Sequence, residues 1–123
     1  MREIKFRTWH PQGGMSNPFT IDDIIEAACC KHYPKYPRQE YVTMQYTGLK
    51  DKHGVEIYEG DVVKFPYNEQ TGEWVLGEVR WSRGTFEVHD DVNVVTELLC
   101  DVEPIVEIIG NIYENPELVD MQR

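Results

Sequence analysis

The sequence predicts a mainly β fold: a small curved antiparallel sheet or SH3-like barrel, with an N-terminal strand and one helix, and a short C-terminal helical turn. Three observations carry that prediction. From residue 41 onward the apolar residues recur with a period of two, the spacing of half-buried strands, not the 3.6 of a helix. Turn residues, chiefly Gly, Asp and Asn, break these runs at short intervals. The chain has 123 residues, enough to enclose one hydrophobic core. Short strands joined by tight turns favour closure or strong curvature, which removes exposed strand edges. The expected organisation is one domain over residues 1–123, with a strand–helix element in 1–40 and a barrel-like core in 41–123.

Residues 2–9 alternate, placing Ile4 and Phe6 on the inner side and Lys5 and Arg7 outside; Pro11, Gly13 and Gly14 end the strand. In TIDDIIEAACC, Thr20 is the expected N-cap, and Asp22 and Asp23 suit the positive helix start. Ile21, Ile24, Ile25 and Ala28 share one helical face. The two prolines of KHYPKYP end that helix. A strand follows with Val42, Met44 and Tyr46 inward, and a turn at Asp51 to Gly54 returns VEIY antiparallel to it. Glu59-Gly60-Asp61 is a second tight turn, leading to a strand with Val63 and Phe65 buried beside Val55 and Ile57.

PYNEQTGE reads as an exposed loop tip. Beyond it Val75, Gly77, Val79 and Trp81 share a strand face, which makes Trp81 a core residue and Trp74 an exposed contact at the loop edge. SRG turns the chain into a strand marked by Phe86 and Val88. The run VNVVTELLCD fits a strand and a helical turn equally well. The closing IVEIIGNIYENPEL supplies a last strand with a bulge or bend at Gly110, then a helical turn starting at Asn115-Pro116.

Twelve Lys and Arg against 22 Asp and Glu give a net charge of −10, a field that repels phosphate backbones and anionic membranes. The first reading of this charge is solubility; the sharper one is an acidic face that docks a basic partner or mimics nucleic acid. The opening residues lack the layout of a secretory signal, and no apolar run approaches the roughly 18 residues of a membrane span. Cys29, Cys30 and Cys100 do not form an even disulfide framework. Reduced thiols and a cytoplasmic location are expected.

Three blocks, MREIKFRTWH, YTGLKDKHGVEIYEGDVVKF and EIIGNIYENPEL, together resemble the YopX family, small proteins of phage and prophage genomes. The resemblance implies a β-rich fold and a phage or prophage setting in a bacterial cytoplasm, and it brings no activity and no catalytic residues. Tyr46, Gly48, Asp51, Gly54, Tyr58, Gly60, Asp61, Gly110, Asn111 and Tyr113 match the family pattern, and turn and core chemistry accounts for them.

Other constellations are weaker. Glu59 with Asp61, or Asp90 with Asp91, pairs carboxylates as an acid–base mechanism would, but neighbours of this kind arise by chance among 22 acids. Cys29, Cys30 and His32, completed by His53, His89 or Cys100, offer zinc-ligand chemistry without a ligand-spacing signature. Lys31, His32, Tyr33, Lys35, Tyr36 and Arg38 interleave cations with aromatics, a pattern that can hold phosphates and stack bases. GLKDKHG departs from a phosphate-binding loop because β-like sequence, not a helix, follows it. The expected function is a non-enzymatic accessory module, with no cofactor and no metal, that binds a protein partner or itself. A nucleic-acid module using residues 31–38 is the alternative, and a zinc-dependent enzyme comes third.

Overall fold

Alternation in the opening block builds β1 (Phe6–His10), which turns back into the two-residue β2 (Gly14–Met15). The structure, a computed structural model, describes residues 3–29, 37–68, 70–91 and 95–120. Thr20 opens α1 (Ile21–Cys29) with a reciprocal cap: its hydroxyl accepts the Asp23 N–H at 3.3 Å, and the Asp23 carboxylate accepts the Thr20 N–H at 2.8 Å. After a 3-10 turn at Arg38–Glu40, β3 (Val42–Lys50) pairs antiparallel with β1 on one edge and with β4 (Glu56–Tyr58) on the other. These strands make a sheet of order β2-β1-β3-β4, so the N-terminal strand is a full member of it.

The remaining strands form a second sheet. β5 (Asp61–Asn68), β6 (Glu73–Ser82), β7 (Thr85–Asp90), β8 (Val95–Leu98) and β9 (Glu107–Asn111) lie in the order β8-β7-β6-β5-β9, antiparallel throughout. β6 and β7 join through Arg83 and Gly84, at φ 52° and 83°, the mirror-image turn whose twist suits a hairpin. The ambiguous apolar run contains both structures it fits: β8 ends at Leu98 and α2 (Leu99–Val102) begins at the next residue. In β9 the bulge falls beside Gly110, since Val62 faces Gly110 while Val63 faces Ile108. The chain closes with α3 (Glu117–Asp120). Together the two sheets make a mainly β, strongly curled half-barrel, the small barrel-like fold that the sequence predicts.

The core lies on the inner face of the second sheet: Val63, Phe65, Val75, Val79, Phe86 and Val88, closed by Ile57 of β4 and by Leu99, Val102 and Val106. Several expectations need correction. Val55 and Ile4 are 53% and 52% exposed, outside the core. Val42 is also exposed, so only Met44 and Tyr46 of its strand face are buried. Trp81 is 52% exposed because β6 runs past the covered part of the sheet. The apolar face of α1 is uncovered too, with Ile21, Ile24 and Ile25 about half exposed. Glu59-Gly60-Asp61 is the expected tight turn, and because β4 and β5 belong to different sheets it forms the corner between them.

Candidate functional site

The corner at Gly60 organises the site. Gly60 has φ 85°, a left-handed conformation that disfavours any side chain, and a Cβ there would lie 3.1 Å from the Tyr113 ring. Its N–H donates to the Val79 carbonyl and its carbonyl accepts the Ile112 N–H, each at 2.9 Å, so one residue ties the corner to β6 and to the end of β9. Beside it Asp61 accepts the Tyr58 N–H at 2.8 Å and Arg7 Nη2 at 2.5 Å, bringing β1 into the same corner. The Arg7 guanidinium lies over the Tyr58 ring, 4.6 Å from its centroid.

Two residues earlier, just before β1, the arrangement repeats. Lys5 pairs with Glu56 and lies over the Tyr46 ring at 5.0 Å, and Tyr46 and Tyr58 pack with centroids 5.4 Å apart. Lys5 and Arg7 therefore face inward, each side chain 14% exposed, against the expectation that the charged side of β1 is solvated. Alternation gives the period of a strand but not which side is covered. Here tyrosine faces and carboxylates do the covering.

Burial pushes the Asp61 carboxyl above its ordinary pKa, against the Arg7 charge and the Tyr58 N–H that favour its ionised form. Burial and the Glu56 charge hold the Tyr58 phenol up at about 12, and the Glu56 hydrogen bond raises Lys5. A second tie lies at the other end of β4. Asp51 accepts N–H groups from His53 and Val55 at 2.9 Å and from Ile108 at 3.1 Å, while Lys52 N–H donates to the Val106 carbonyl at 2.9 Å. Burial opposes the Asp51 charge, but the three N–H donors outweigh it and its pKa falls below 3.8.

Above the Gly60 corner the two sheets leave a cleft of about 280 Å³, lined by Thr43 and Met44 of β3, Glu59 and Gly60, residues 78–81 of β6, and Tyr113. Met44 and Val79 are buried there. Trp81 and Tyr113 are its aromatic walls; Phe86, across the strand pair, meets Trp81 edge-on at 4.9 Å, and Trp9 stacks on Tyr113 at 6.1 Å. Glu59 is anchored through the Gln45 N–H at 2.8 Å. Arg80 bonds Asp91 at 2.6 and 3.2 Å and Glu78 at 3.1 Å. The Tyr113 phenol is held above its ordinary pKa by burial and by the charges of Glu78 and Glu59.

A sequence profile described as YopX protein matches residues 5–120. The chain belongs to the YopX family. Among solved structures it is similar to protein EF1440 from Enterococcus faecalis, at 23% identity and TM-score 0.60, over 97% of this chain and 99% of that one. It is also similar to protein yopX from Bacillus subtilis, at 19% identity and TM-score 0.61, over 96% and 98% of the two chains. At such identities the likeness is one of fold. Among curated proteins none matches the chain.

The YopX pattern residues gather at the two ties. Tyr46, Tyr58, Gly60, Asp61 and Tyr113 meet at the corner, and Asp51 and Gly54 build the second tie. Gly48 lies in the irregular stretch of β3, at φ 85°. Asn111 pairs with Asp61 across β5 and β9, and its side chain accepts the Tyr113 and Glu114 N–H groups at 3.1 and 2.8 Å. Gly110 leaves room for Asn115, whose Oδ1 would be 2.5 Å from a Cβ.

Other sequence candidates are dispersed. Asp90, the last residue of β7, is buried, whereas Asp91, in the turn that follows, is exposed and holds Arg80. Among the described residues no three His, Cys, Asp or Glu side chains group as metal ligands, and Cys100 is an exposed thiol. His53 and His89 lie in separate carboxylate contacts, to Glu107 and Glu87. Cys30, Lys31, His32, Tyr33, Lys35 and Tyr36 lie outside the described residues, and so do the side chains of Cys29 and Arg38. Trp74 is exposed as expected, with Lys64 over its ring at 4.9 Å. Lys5, Arg7, Glu78 and Trp81 were not singled out as site residues by sequence, because only the corner between the sheets brings them together. No described helix is long and apolar enough to cross a membrane.

Proposed function

We propose that this YopX protein is a non-enzymatic binding module of phage or prophage origin and that the cleft above Gly60 is its contact surface. Trp81 carries this reading. It continues the face that buries Val75 and Val79, yet it is 52% exposed and braced by Phe86. A half-exposed aromatic beside a cleft is the kind of group on which binding energy concentrates. The carboxylates a hydrolytic mechanism would recruit have structural partners: Asp61 holds Arg7, and Asp91 holds Arg80. The test is selection of displayed peptides on the wild-type protein. Enriched sequences should lose binding to Trp81→Ser while the melting temperature stays within a few degrees; recovery of no Trp81-dependent sequence overturns the proposal.

A second reading, self-association, is favoured by α1. Ile21, Ile24 and Ile25 are 53%, 49% and 55% exposed on one helical face, and a two-fold pair of copies would cover both faces at once. Light scattering over a wide concentration range should show a dimer that Ile24→Asp disrupts; a monomer throughout refutes it.

A further inference from the structure

Among the described residues the cleft has an open strand edge as well as aromatic walls. Val62 faces Glu78, and Gly60 N–H reaches the Val79 carbonyl; before Gly60 the chain belongs to the other sheet, so nothing of β5 continues beside the end of β6. Alternate residues of an antiparallel strand send their backbone groups to the same side. Val79 bonds toward β5, so the Trp81 N–H and C=O also point that way, into the cleft. The opposite wall has the same property. Tyr46 N–H donates to Lys5, just before β1, and Gln45 N–H to Glu59, so the backbone groups of Thr43 face away from β1, toward the cleft.

Charge decides what such an edge accepts. Among the described residues that line the cleft, the carboxylates of Glu59 and Glu78 stand against the one guanidinium of Arg80, which leaves one negative charge; Asp91 pairs with Arg80 from outside the lining, and the nearby Arg7 is balanced by Asp61. The molecule as a whole carries −10. Trp81 and Tyr113 present the ring surfaces that favour an ammonium or guanidinium group. A cleft of about 280 Å³ suits one side chain better than a drug-sized ligand.

We infer that the cleft binds an extended basic segment of a partner protein, whose backbone pairs with the edge at Trp81 and whose arginine or lysine side chain sits between Trp81, Tyr113 and the Glu59 carboxylate. The mode is strand addition, in which main-chain bonds supply affinity and the pocket supplies selectivity. This inference rests on the binding reading above and names its ligand.

Calorimetric titration of the full chain tests it with three probes: a seven-residue Thr/Val peptide with a central Arg, the same peptide with a central Glu, and free argininamide. The Arg peptide should bind at least tenfold tighter than the other two, and Glu59→Gln, which can keep the Gln45 bond, should weaken it at least tenfold. N-methylation of the peptide backbone on its pairing edge should abolish binding. Equal affinity for the Arg and Glu peptides overturns the basic ligand, and argininamide binding as tightly as the peptide overturns strand addition. Trp81-dependent binding of neutral or acidic peptides alone would sink this inference while leaving the binding module standing.

Discussion

Arg7 and Asp61 form a nearly buried ion pair in which Arg7 Nε has no hydrogen-bond partner among the described residues, so its worth lies in joining strands more than in net stabilisation. Removing one member leaves the other charge buried and uncompensated. Asp61→Leu or Arg7→Met should each cost about 3–5 kcal/mol in urea unfolding, whereas the double replacement Arg7→Met with Asp61→Leu should cost clearly less than the sum. Additive costs would mean that the two groups do not interact in the fold. The two buried aspartates also differ in pH behaviour. Asp51, lowered below 3.8, contributes stability that is present above that value and lost as pH falls through its folded pKa. Asp61, raised, contributes stability that is full below 3.8 and lost as pH rises through its folded pKa. Stability measured from pH 7 down to about 3 should therefore fall less steeply in Asp51→Asn than in the wild type. An unchanged acid limb contradicts the role of its three N–H donors.

At the scale of elements, turn chemistry was legible and partnership was not. Asp51 and Gly54 read correctly as a hairpin turn, and Gly110 as the neighbour of a bulge, because both depend on local backbone geometry. The corner at Gly60 has the same local sequence signature as a hairpin, and only long-range pairing of β5 with β6 and β9 separates the two. For the same reason Trp81 and the α1 isoleucines matched a buried period yet stay exposed: a period names a face, and coverage depends on what packs there. Of the cleft residues, sequence marks Gly60 and Tyr113 only as family-pattern positions, Glu59 only as a chance neighbour of Asp61, and Trp81 as core, because none of these local signals tells which side chains meet across two sheets. The two turn glycines can be told apart by substitution. Gly54 has open space around a Cβ, so Gly54→Ala meets only the unfavourable positive φ, about 1–2 kcal/mol. Gly60→Ala adds the Tyr113 ring at 3.1 Å and should cost at least about 1 kcal/mol more by thermal or urea unfolding. Equal losses would remove the corner's special status.

Across the whole molecule, the three blocks that mark the YopX family become one structural device. The opening block contributes Lys5 and Arg7, the central block Tyr46, Asp51, Tyr58, Gly60 and Asp61, and the closing block Ile108, Asn111 and Tyr113; together they fasten two sheets at two points. The family pattern thus describes the framework, and the cleft it holds open is where binding is proposed. If the fastening is real, the sheets open together. Native-state hydrogen exchange measures this directly. The amides of Tyr46 and Gly60, which bond Lys5 and Val79, should exchange with the same opening free energy as Val63 and Val79 in the second sheet, within about 1 kcal/mol. Opening of the first sheet several kcal/mol below the second would contradict the account.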